Sequence, residues 1–330
     1  MVEAQSDTKP SDPEGEEESL SPPTPPKREA WLGASSLSQF QGCWLSEDFS
    51  KSAALVQAHF QPRPDDIILA TYPKCGTTWL KALAFAITNR SHHPITCKNH
   101  PLLTHLPHDL VEDLEFPLRY LHHPVSELEN LPSPRLLCTH LPLPLLPTSV
   151  STIGCRIVYL CREPKDVLVS MWHYMNKVYR DCFTEFDRAF ELFCEGVSLY
   201  GPIWDHYLGY WKQMTTEPNR VLFLKYDEMM ADTGNHVKRL AEFFGGPVSV
   251  EEESSGIVQD IVKLCSFENL KKMPVSCSGV TNPIDGLAIE NSVFFRTGKV
   301  RDWENHMTEE MAKKLDRIIE DKLGGCGLTF

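Results

Sequence analysis

An apolar run that ends at a proline and passes through one glycine into a helical pattern lies at residues 66–89. Residues 66–72, DIILATY, have the aliphatic and β-branched side chains typical of a buried strand, which Pro73 ends. From Thr77 onward, apolar residues recur at helical spacing over residues 77–89. The sequence therefore predicts a strand, a tight turn and a helix in immediate succession, which resembles a P-loop and is suited to holding a phosphate.

The turn between this strand and helix has the chemistry of an anion-binding site. A helix amino terminus offers unpaired N–H groups and a positive dipole end, and Gly76 lets an anion approach the backbone closely. Lys74 adds a charge, and Thr77 and Thr78 add hydroxyl donors. An ordinary helix capped by Thr77, beside a solvated Lys74, explains the turn equally well. The GxxxxGK[ST] loop of nucleotide kinases is absent, since the lysine here precedes the turn's only glycine.

Beyond this junction, short β-rich runs alternate with helical patterns along the chain. Such alternation predicts a single α/β domain in which a mainly parallel central sheet is flanked by helices. The domain is predicted to span residues 29–330, after an acidic, proline-rich tail at residues 1–28 whose composition predicts disorder. Further strands are predicted at residues 135–139, 156–161 and 220–226, and further helices at residues 164–177, 183–194, 203–212, 235–244, 255–265 and 309–323.

Charge and cysteine content argue against several classes of protein. The formal net charge is −13, which does not suit a nucleic-acid surface or a polybasic membrane anchor, so an anionic ligand has to be held by local donors. The 11 cysteines include no CxxC pair, which is typical of a reduced intracellular chain. The sequence has no signal-peptide pattern and no apolar run of roughly 20 residues. These features predict a cytoplasmic protein with no nucleic-acid or membrane partner.

Histidines are concentrated in one part of the chain. Eight of the 13 lie between residues 92 and 140, which raises the alternative of a metal site. Their spacings lack the companion cysteine or carboxylate pattern of a zinc site, so no metal is predicted. His140 stands apart because it follows the strand predicted at residues 135–139, and open α/β sheets place their active sites at that end of a strand. Its imidazole titrates in the range that a general base requires.

Two segments carry a resemblance to a known family. TYPKCGTTWLKAL at residues 71–83 resembles the 5′-phosphosulfate loop of the cytosolic sulfotransferases. Together with FQGCWL at residues 40–45, it is similar to the plant branch of that family, of the flavonol and brassinosteroid type. The resemblance continues through separated motifs, in the expected order, from about residue 40 to the carboxyl terminus. It implies an enzyme that transfers the sulfuryl group of 3′-phosphoadenylyl sulfate (PAPS) to a hydroxyl and releases 3′,5′-adenosine diphosphate (PAP), without a metal.

The resemblance also implies roles for particular residues. Relatives close a segment RKGxxGDW over the 3′-phosphate, and this chain departs from it at Thr297 and Arg301. Loss of the lysine is expected to weaken cofactor binding by about 1–3 kcal/mol unless Lys299 or Arg301 substitutes. Cys265 stands where the family usually has a threonine. The implied cofactor-binding residues are Lys74, Cys75, Gly76, Thr77, Thr78, Trp79, Arg162, Ser170, Tyr226, Cys265, Phe267, Arg296, Thr297 and Gly298.

Catalysis is expected to depend on His140 and Lys74. His140, in the family's THLP pattern, would take the acceptor proton, while Lys74 would stabilise charge on the departing phosphate oxygen. Some relatives carry a second lysine where this chain has Cys138. This departure increases the dependence on Lys74.

The acceptor and two competing functions remain open. The loops at residues 92–132 and 271–295 are predicted to form the acceptor pocket, and their apolar content favours a flavonoid, a steroid or another terpenoid-derived alcohol. Thr297, Arg301 and Cys138 leave open a protein that binds PAPS or PAP with weakened or lost catalysis. A magnesium-dependent phosphoryl transferase is the third possibility, which the missing kinase loop disfavours. A monomer is favoured because the dimerising segment of animal relatives has no match after Trp303.

Overall fold

The computed structural model describes residues 29–31, 35–115, 125–179, 184–284 and 287–330. The predicted tail at residues 1–28 lies outside the described residues. Strands in chain order are β1 (Glu29–Trp31), β2 (Ser35–Phe40), β3 (Cys43–Leu45), β4 (Ile67–Thr71), β5 (Glu112–Asp113), β6 (Leu136–Thr139), β7 (Arg156–Cys161), β8 (Val221–Lys225), β9 (Val280–Ile284) and β10 (Leu287–Glu290). Helices are α1 (Glu47–His59), α2 (Thr77–Thr88), α3 (Pro107–Leu110), α4 (Thr148–Ile153), α5 (Pro164–Val178), α6 (Phe186–Cys194), α7 (Ile203–Thr216), α8 (Tyr226–Ala231), α9 (Thr233–Phe243), α10 (Val250–Ser254), α11 (Ile257–Leu264), α12 (Phe267–Lys272), α13 (Pro274–Ser278) and α14 (Glu309–Leu323).

A five-stranded parallel sheet in the order β5-β6-β4-β7-β8 forms the centre of the fold. All residues of β4 are buried, and they alternate between two apolar clusters. Ile68 and Ala70 belong to one cluster, whereas Ile67 and Leu69 belong to the other, which also contains Leu80 of α2. Because both faces of the sheet are covered, its strands are apolar runs rather than alternating patterns. The predicted α/β fold is confirmed.

Two antiparallel parts of the structure were not predicted. The strands β1, β2 and β3 form one small sheet ahead of α1, and β9 pairs with β10 in a segment predicted to be irregular. Their strands are three to six residues long, and segments this short carry little periodicity. No helix among the described residues is long and apolar enough to cross a membrane.

A buried ion pair joins the amino ends of β4 and β6. Arg135 Nε donates to Asp66 Oδ1 at 2.7 Å, and the guanidinium also donates to the carbonyl oxygens of Gln61 and Leu128. Asp66 is fully buried and Arg135 is 1 % exposed. The pair therefore aligns the strands whose opposite ends carry the predicted site.

Removal of the Asp66 carboxylate should destabilise the protein strongly. Asp66→Ala leaves the Arg135 charge buried without a counterion, and we expect a loss of about 3–5 kcal/mol of unfolding free energy. Urea denaturation followed by circular dichroism measures this loss. Glu47→Ala, which breaks the exposed pair with Lys51, should leave the midpoint unchanged. Equal midpoints for all three proteins would contradict the assigned role.

Candidate active site

A cavity of about 520 Å³ opens at the carboxyl ends of β4, β6 and β7. Its volume is within the range of about 300–1,000 Å³ usual for small-molecule sites. All but two of the predicted site residues line it: Lys74, Gly76, Thr77, Thr78, Trp79, His140, Arg162, Ser170, Tyr226, Phe267, Arg296, Thr297 and Gly298. Residues that are distant in sequence therefore meet at the sheet edge where α/β folds usually bind ligands.

The exceptions are Cys75 and Cys265, both of which are fully buried outside the cavity lining. The sulfur of Cys75 lies 3.3 Å from the hydroxyl of Tyr207, on the side of the turn away from the cavity. Next to Cys265, Ser266 lines the cavity, and its hydroxyl accepts the Asn269 N–H and so caps α12. The structure thus places a serine, rather than the cysteine thiol, at this part of the wall.

The turn before α2 has a conformation that depends on glycine. Gly76 has φ = +104°, and an added Cβ would lie 2.8 Å from the ring of Tyr226. Gly76 is also the residue that precedes the helix, which has no side-chain cap. The Thr77 hydroxyl instead bonds to that of Thr71 at 2.7 Å. The capped-helix interpretation therefore does not apply, and the amino end of α2 faces the cavity.

Lys74 lies among positive charges at this turn. Its Nζ is 3.9 Å from the ring centroid of Tyr174. Burial, together with the smaller effects of the nearby charges of Arg162, Arg296 and Lys177, lowers the pKa of Lys74 to about 7. A bound polyanion would offset this repulsion and favour the charged ammonium, so the site is electrostatically suited to phosphate and sulfate groups.

Two arginines that line the cavity have donors without partners. Arg162 donates to the carbonyl oxygen of Lys299 at 2.7 Å and lies over the ring of Tyr226, while Arg296 pairs with Asp302. The Nε atoms of both arginines are buried and make no hydrogen bond to any described residue. Buried donors of this kind are costly unless an acceptor is supplied. The 3′-phosphate of PAPS would supply that acceptor, so the residues present fit this group.

Asp166 holds the segment of residues 296–303, which corresponds to the family segment RKGxxGDW and is here called the closing segment. The carboxylate of Asp166, in the first turn of α5, accepts the N–H groups of Arg301 at 2.8 Å and Trp303 at 3.0 Å. It also accepts from Arg162 at 3.3 Å. Asp166 is fully buried, so it links the strand end at β7 to the closing segment.

The expected replacements for the missing family lysine do not reach the cavity. Lys299 is exposed, and Arg301 pairs with Glu304 on the surface. Arg301 has φ = +61°, in the left-handed region that glycine adopts most readily. Gly298 keeps the family's close approach, since an added Cβ would lie 2.5 Å from Phe267. Neither Lys299 nor Arg301 therefore takes the place of that lysine at Thr297.

Loss of the Asp166 carboxylate should weaken nucleotide binding. Asp166→Ala removes the acceptor for two backbone N–H groups and one guanidinium, so we expect PAP affinity to fall about 10- to 100-fold. Isothermal calorimetry with PAP measures this change. Asp316→Ala removes an acidic group that also pairs with α5, through Lys165, but does not line the cavity, and it should retain affinity. Unchanged PAP affinity in Asp166→Ala would contradict the assignment.

His140 follows the last residue of β6, and its hydrogen bonds determine which ring nitrogen carries the hydrogen. Its Nδ1 is 2.8 Å from the carbonyl oxygen of Thr71, which can only accept, so Nδ1 carries the hydrogen and Nε2 carries the lone pair. Behind it, the hydroxyl of Tyr159 donates to His206 Nδ1 at 2.6 Å, and His206 Nε2–H donates to the carbonyl oxygen of His140 at 2.8 Å. These bonds fix the orientation of His140 and favour the neutral tautomer with its lone pair on Nε2.

A buried glutamate supports the same strand end. Glu115 accepts from the backbone N–H of His140 and, at 2.8 Å, from the hydroxyl of Thr139. Burial raises the pKa of Glu115 to about 8 and lowers the pKa of His140 to about 4. Near neutral pH, the site therefore contains an uncharged imidazole.

Acidification should destabilise the protein below about pH 6.5. Burial lowers the pKa of His140 to about 4, of His206 to about 3 and of His108 well below its usual value, so the unfolded chain binds more protons between about pH 6.5 and 4. Their contribution is present above pH 6.5 and is lost as the pH falls. Two further histidines with lowered pKa values, His100 and His173, act in the same direction. The raised pKa of Glu115, and the raised pKa values of Glu163, Asp205 and Asp227, act in the opposite direction, and we expect the five histidines to outweigh them. Thermal melts should give a lower Tm at pH 5 than at pH 7, and an equal or higher Tm at pH 5 would contradict this balance.

The parallel sheet, the anion turn and the neutral histidine together define a group-transfer enzyme that takes a phosphate-containing donor. A family model described as "Sulfotransferase domain" matches residues 64–327. The chain belongs to the sulfotransferase family.

Individual relatives support this family. Cytosolic sulfotransferase 5 of Arabidopsis thaliana is 44 % identical over 295 residues, which are 88 % of this chain and 90 % of that protein. Flavonol 3-sulfotransferase of Flaveria bidentis is 41 % identical over 89 % of this chain and 93 % of its own length. These similarities confirm the predicted plant branch.

Solved structures agree with the fold. A crystal structure of an Arabidopsis thaliana protein provisionally named as a steroid sulphotransferase has a TM-score of 0.73 and 39 % identity, and the match covers 93 % of each chain. A mouse sulfotransferase complexed with PAP has a TM-score of 0.67 and 26 % identity, over 88 % of this chain and 94 % of its own.

Proposed function

We propose that this sulfotransferase moves the sulfuryl group of PAPS to a hydroxyl of a small, largely apolar acceptor, with His140 as the base. The observation that carries the proposal is the hydrogen bond from His140 Nδ1 to the Thr71 carbonyl oxygen, which leaves the Nε2 lone pair in the cavity that Lys74 also lines. Among described residues, none makes a hydrogen bond to Nε2. A proton acceptor and an anion-binding turn therefore share one site.

PAPS is the sulfuryl donor of this family, and the mouse relative holds its product, PAP. Different residues would hold different groups of PAPS. Lys74 and the amino end of α2 suit the 5′-phosphosulfate, while Arg162, Ser170 and Arg296 suit the 3′-phosphate. The rings of Trp79 and Tyr226, with centroids 5.5 Å apart, together with Phe267 provide an apolar wall for adenine.

The reaction needs one proton transfer and one in-line displacement. His140 Nε2 takes the proton of the acceptor hydroxyl as the acceptor oxygen bonds to sulfur. The bond between sulfur and the bridging phosphate oxygen breaks, and its electron pair remains on the departing phosphate. Lys74 and the N–H groups at the start of α2 stabilise the charge that develops there. His140 then releases its proton to solvent as product leaves.

The acceptor end supports a partly apolar, hydroxylated molecule such as a flavonoid, a steroid or another terpenoid-derived alcohol. Its apolar wall includes Phe49, Leu199, Val293 and Phe294. The name of the Flaveria relative supports a flavonol-type acceptor, and the name of the Arabidopsis structure supports a steroid. The names of the Arabidopsis relatives support a cytosolic location.

We propose a monomer, which sedimentation of the purified protein would test.

Transfer from ³⁵S-labelled PAPS tests the function directly. Purified protein is incubated with a flavonol, a 3-hydroxysteroid and a terpenoid alcohol, and labelled products are identified by mass spectrometry. A sulfated acceptor supports the proposal. Tight PAP binding by calorimetry without any product would instead favour the binding protein without catalysis that Thr297 suggests. Magnesium-dependent turnover of ATP would favour the phosphoryl transferase.

A further inference from the structure

The positive and negative charges that line the cavity come from different segments of the chain. Four cations lie around the predicted cofactor groups, at Lys74, Arg162, Lys177 and Arg296. Among the described residues, the carboxylates that line the cavity are Asp109, Glu112 and Asp113, which come from one short segment around β5. This group of three residues, here called the acidic segment, adjoins the strand β6 that carries His140. The proposed cofactor accounts for the cations but not for the carboxylates.

Asp113 has one oxygen bound and one oxygen unused. Lys81 Nζ donates to Asp113 Oδ2 at 2.6 Å and to the carbonyl oxygen of Val111 at 3.1 Å. Asp113 is 9 % exposed, and its other oxygen, Oδ1, is buried without a hydrogen bond that meets the usual geometry among the described residues, although the Cys138 thiol lies near the carboxylate. Asp113 is close enough to His140 to raise the pKa of that imidazole, against the larger effect of burial. Asp113 therefore lines the cavity near the proposed base and has one carboxylate oxygen that accepts no hydrogen bond from a described residue.

Tyr200 lines the same cavity and has a second unsatisfied polar group. Its ring centroid lies 5.5 Å from that of His140 and 5.5 Å from that of Phe49. The residue is 2 % exposed, and its hydroxyl is buried without a partner in the described part of the chain. Tyr200 has φ = +65°, a left-handed conformation that is uncommon for a bulky residue. The fold thus holds the Tyr200 ring beside His140 at some cost in backbone energy.

We propose that Asp113 and Tyr200 recognise a second hydrogen-bond donor group on the acceptor, a hydroxyl or a protonated amine, besides the hydroxyl that receives the sulfuryl group. This inference rests on the proposed function, since it concerns the acceptor of that reaction. Asp113 Oδ1 can only accept, whereas the Tyr200 hydroxyl can accept or donate, so a donor on the acceptor satisfies either atom. An acceptor without such a group leaves buried polar atoms unpaired, and sites of this kind discriminate strongly against it.

Charge favours an ammonium over a neutral hydroxyl at this place. Lys81 offsets the charge of Asp113, while Asp109 adds a further negative charge to the lining. Asp109 is exposed, so its attraction for a cation is screened by salt. An amine should therefore gain an advantage that declines as ionic strength rises, whereas a neutral hydroxyl should not.

Three phenols of nearly equal shape test the inference: 4-propylphenol, 4-(2-hydroxyethyl)phenol and 4-(2-aminoethyl)phenol. They differ only in whether the side chain ends in methyl, hydroxyl or ammonium. With the full chain and PAPS, we expect kcat/KM to be at least about 10-fold higher for the hydroxyl and amine compounds than for 4-propylphenol. Only the advantage of the amine should shrink between 20 and 300 mM salt.

Two variants test whether Asp113 and Tyr200 cause the preference for the hydroxyl and amine compounds. Asp113→Asn keeps an oxygen for Lys81 but replaces the unused acceptor with an amide donor, so the ratio of kcat/KM between the amine and methyl compounds should fall several-fold. Tyr200→Phe removes the second hydroxyl without changing the ring and should reduce the ratio for the hydroxyl compound. PAP affinity by calorimetry reports folding in each variant. Asp321→Asn, an exposed acidic residue of α14, controls for the loss of one charge and should keep both ratios.

The outcomes separate the inference from the function on which it rests. Equal kcat/KM for the three phenols in the wild-type protein would overturn the inference while leaving sulfuryl transfer intact. A preference that persists unchanged in both variants would also overturn it. Absence of sulfated product from every phenol, flavonol and steroid, despite PAP binding, would overturn the proposed function and the inference with it.

Discussion

His140→Ala should lower kcat by about 10²- to 10⁴-fold while leaving PAP affinity within about threefold of wild type. The Nε2 lone pair of His140 is available to take a proton, because Nδ1–H donates to the Thr71 carbonyl oxygen. Without the imidazole, no positioned base takes the proton from the hydroxyl that receives the sulfuryl group. PAP binding should persist, because the nucleotide-binding residues come from other elements. Initial rates from labelled PAPS measure kcat, and calorimetry measures the dissociation constant of PAP.

His105→Ala is the matched control for this variant. His105 is an exposed histidine from the same part of the chain, outside the cavity lining, so the same substitution should leave the rate unchanged. Added imidazole should restore part of the rate in His140→Ala if proton transfer is the missing step. A wild-type rate in His140→Ala would show that another group accepts the proton.

Lys74→Ala should lower kcat by about 10²- to 10³-fold. The Lys74 ammonium lies at the turn where the leaving phosphate is expected, and its stabilising effect is largest when charge has moved onto that phosphate. Lys74→Arg should recover only part of the loss, because a planar guanidinium does not place its charge where an ammonium does. Initial rates and PAP titrations on the same preparations separate catalysis from binding.

The division between kcat and binding decides the role of Lys74. A fall in kcat larger than the loss of PAP affinity indicates an interaction made mainly in the transition state. An equal loss in both, with no further effect on turnover, would limit Lys74 to ground-state binding. Lys51→Ala, at an exposed position of α1, should alter neither quantity.

Much of the fold followed from local patterns. The strand β7 has the predicted bounds, and β4, β6 and β8 lie within their predicted ranges, because a strand buried on both faces is a short apolar run with clear ends. The helix α14 likewise begins after Thr308 and ends before Gly324, as its pattern indicated. The small antiparallel sheets were missed because pairing between short strands depends on contacts that local sequence does not carry.

The proposed cofactor residues were accessible from the sequence because motif chemistry is local. A glycine, a lysine and two threonines at a strand-to-helix turn have the same capabilities in any protein that forms that turn. Asp166, Glu115 and Tyr200 gave no such signal. Each acts through partners that are distant along the chain: Asp166 through Arg301, Glu115 through His140, and Tyr200 beside Phe49 and His140.

Residue types and their order were sufficient to establish the parallel α/β architecture, the phosphate-binding turn and membership of the sulfotransferases, since these depend on short-range geometry and periodicity. The tautomer of His140 and the position of Arg301 away from the cavity emerged only in the folded chain. Hydrogen bonding and electrostatics depend on distances between groups, and folding alone brings residues 71, 113, 140 and 200 together.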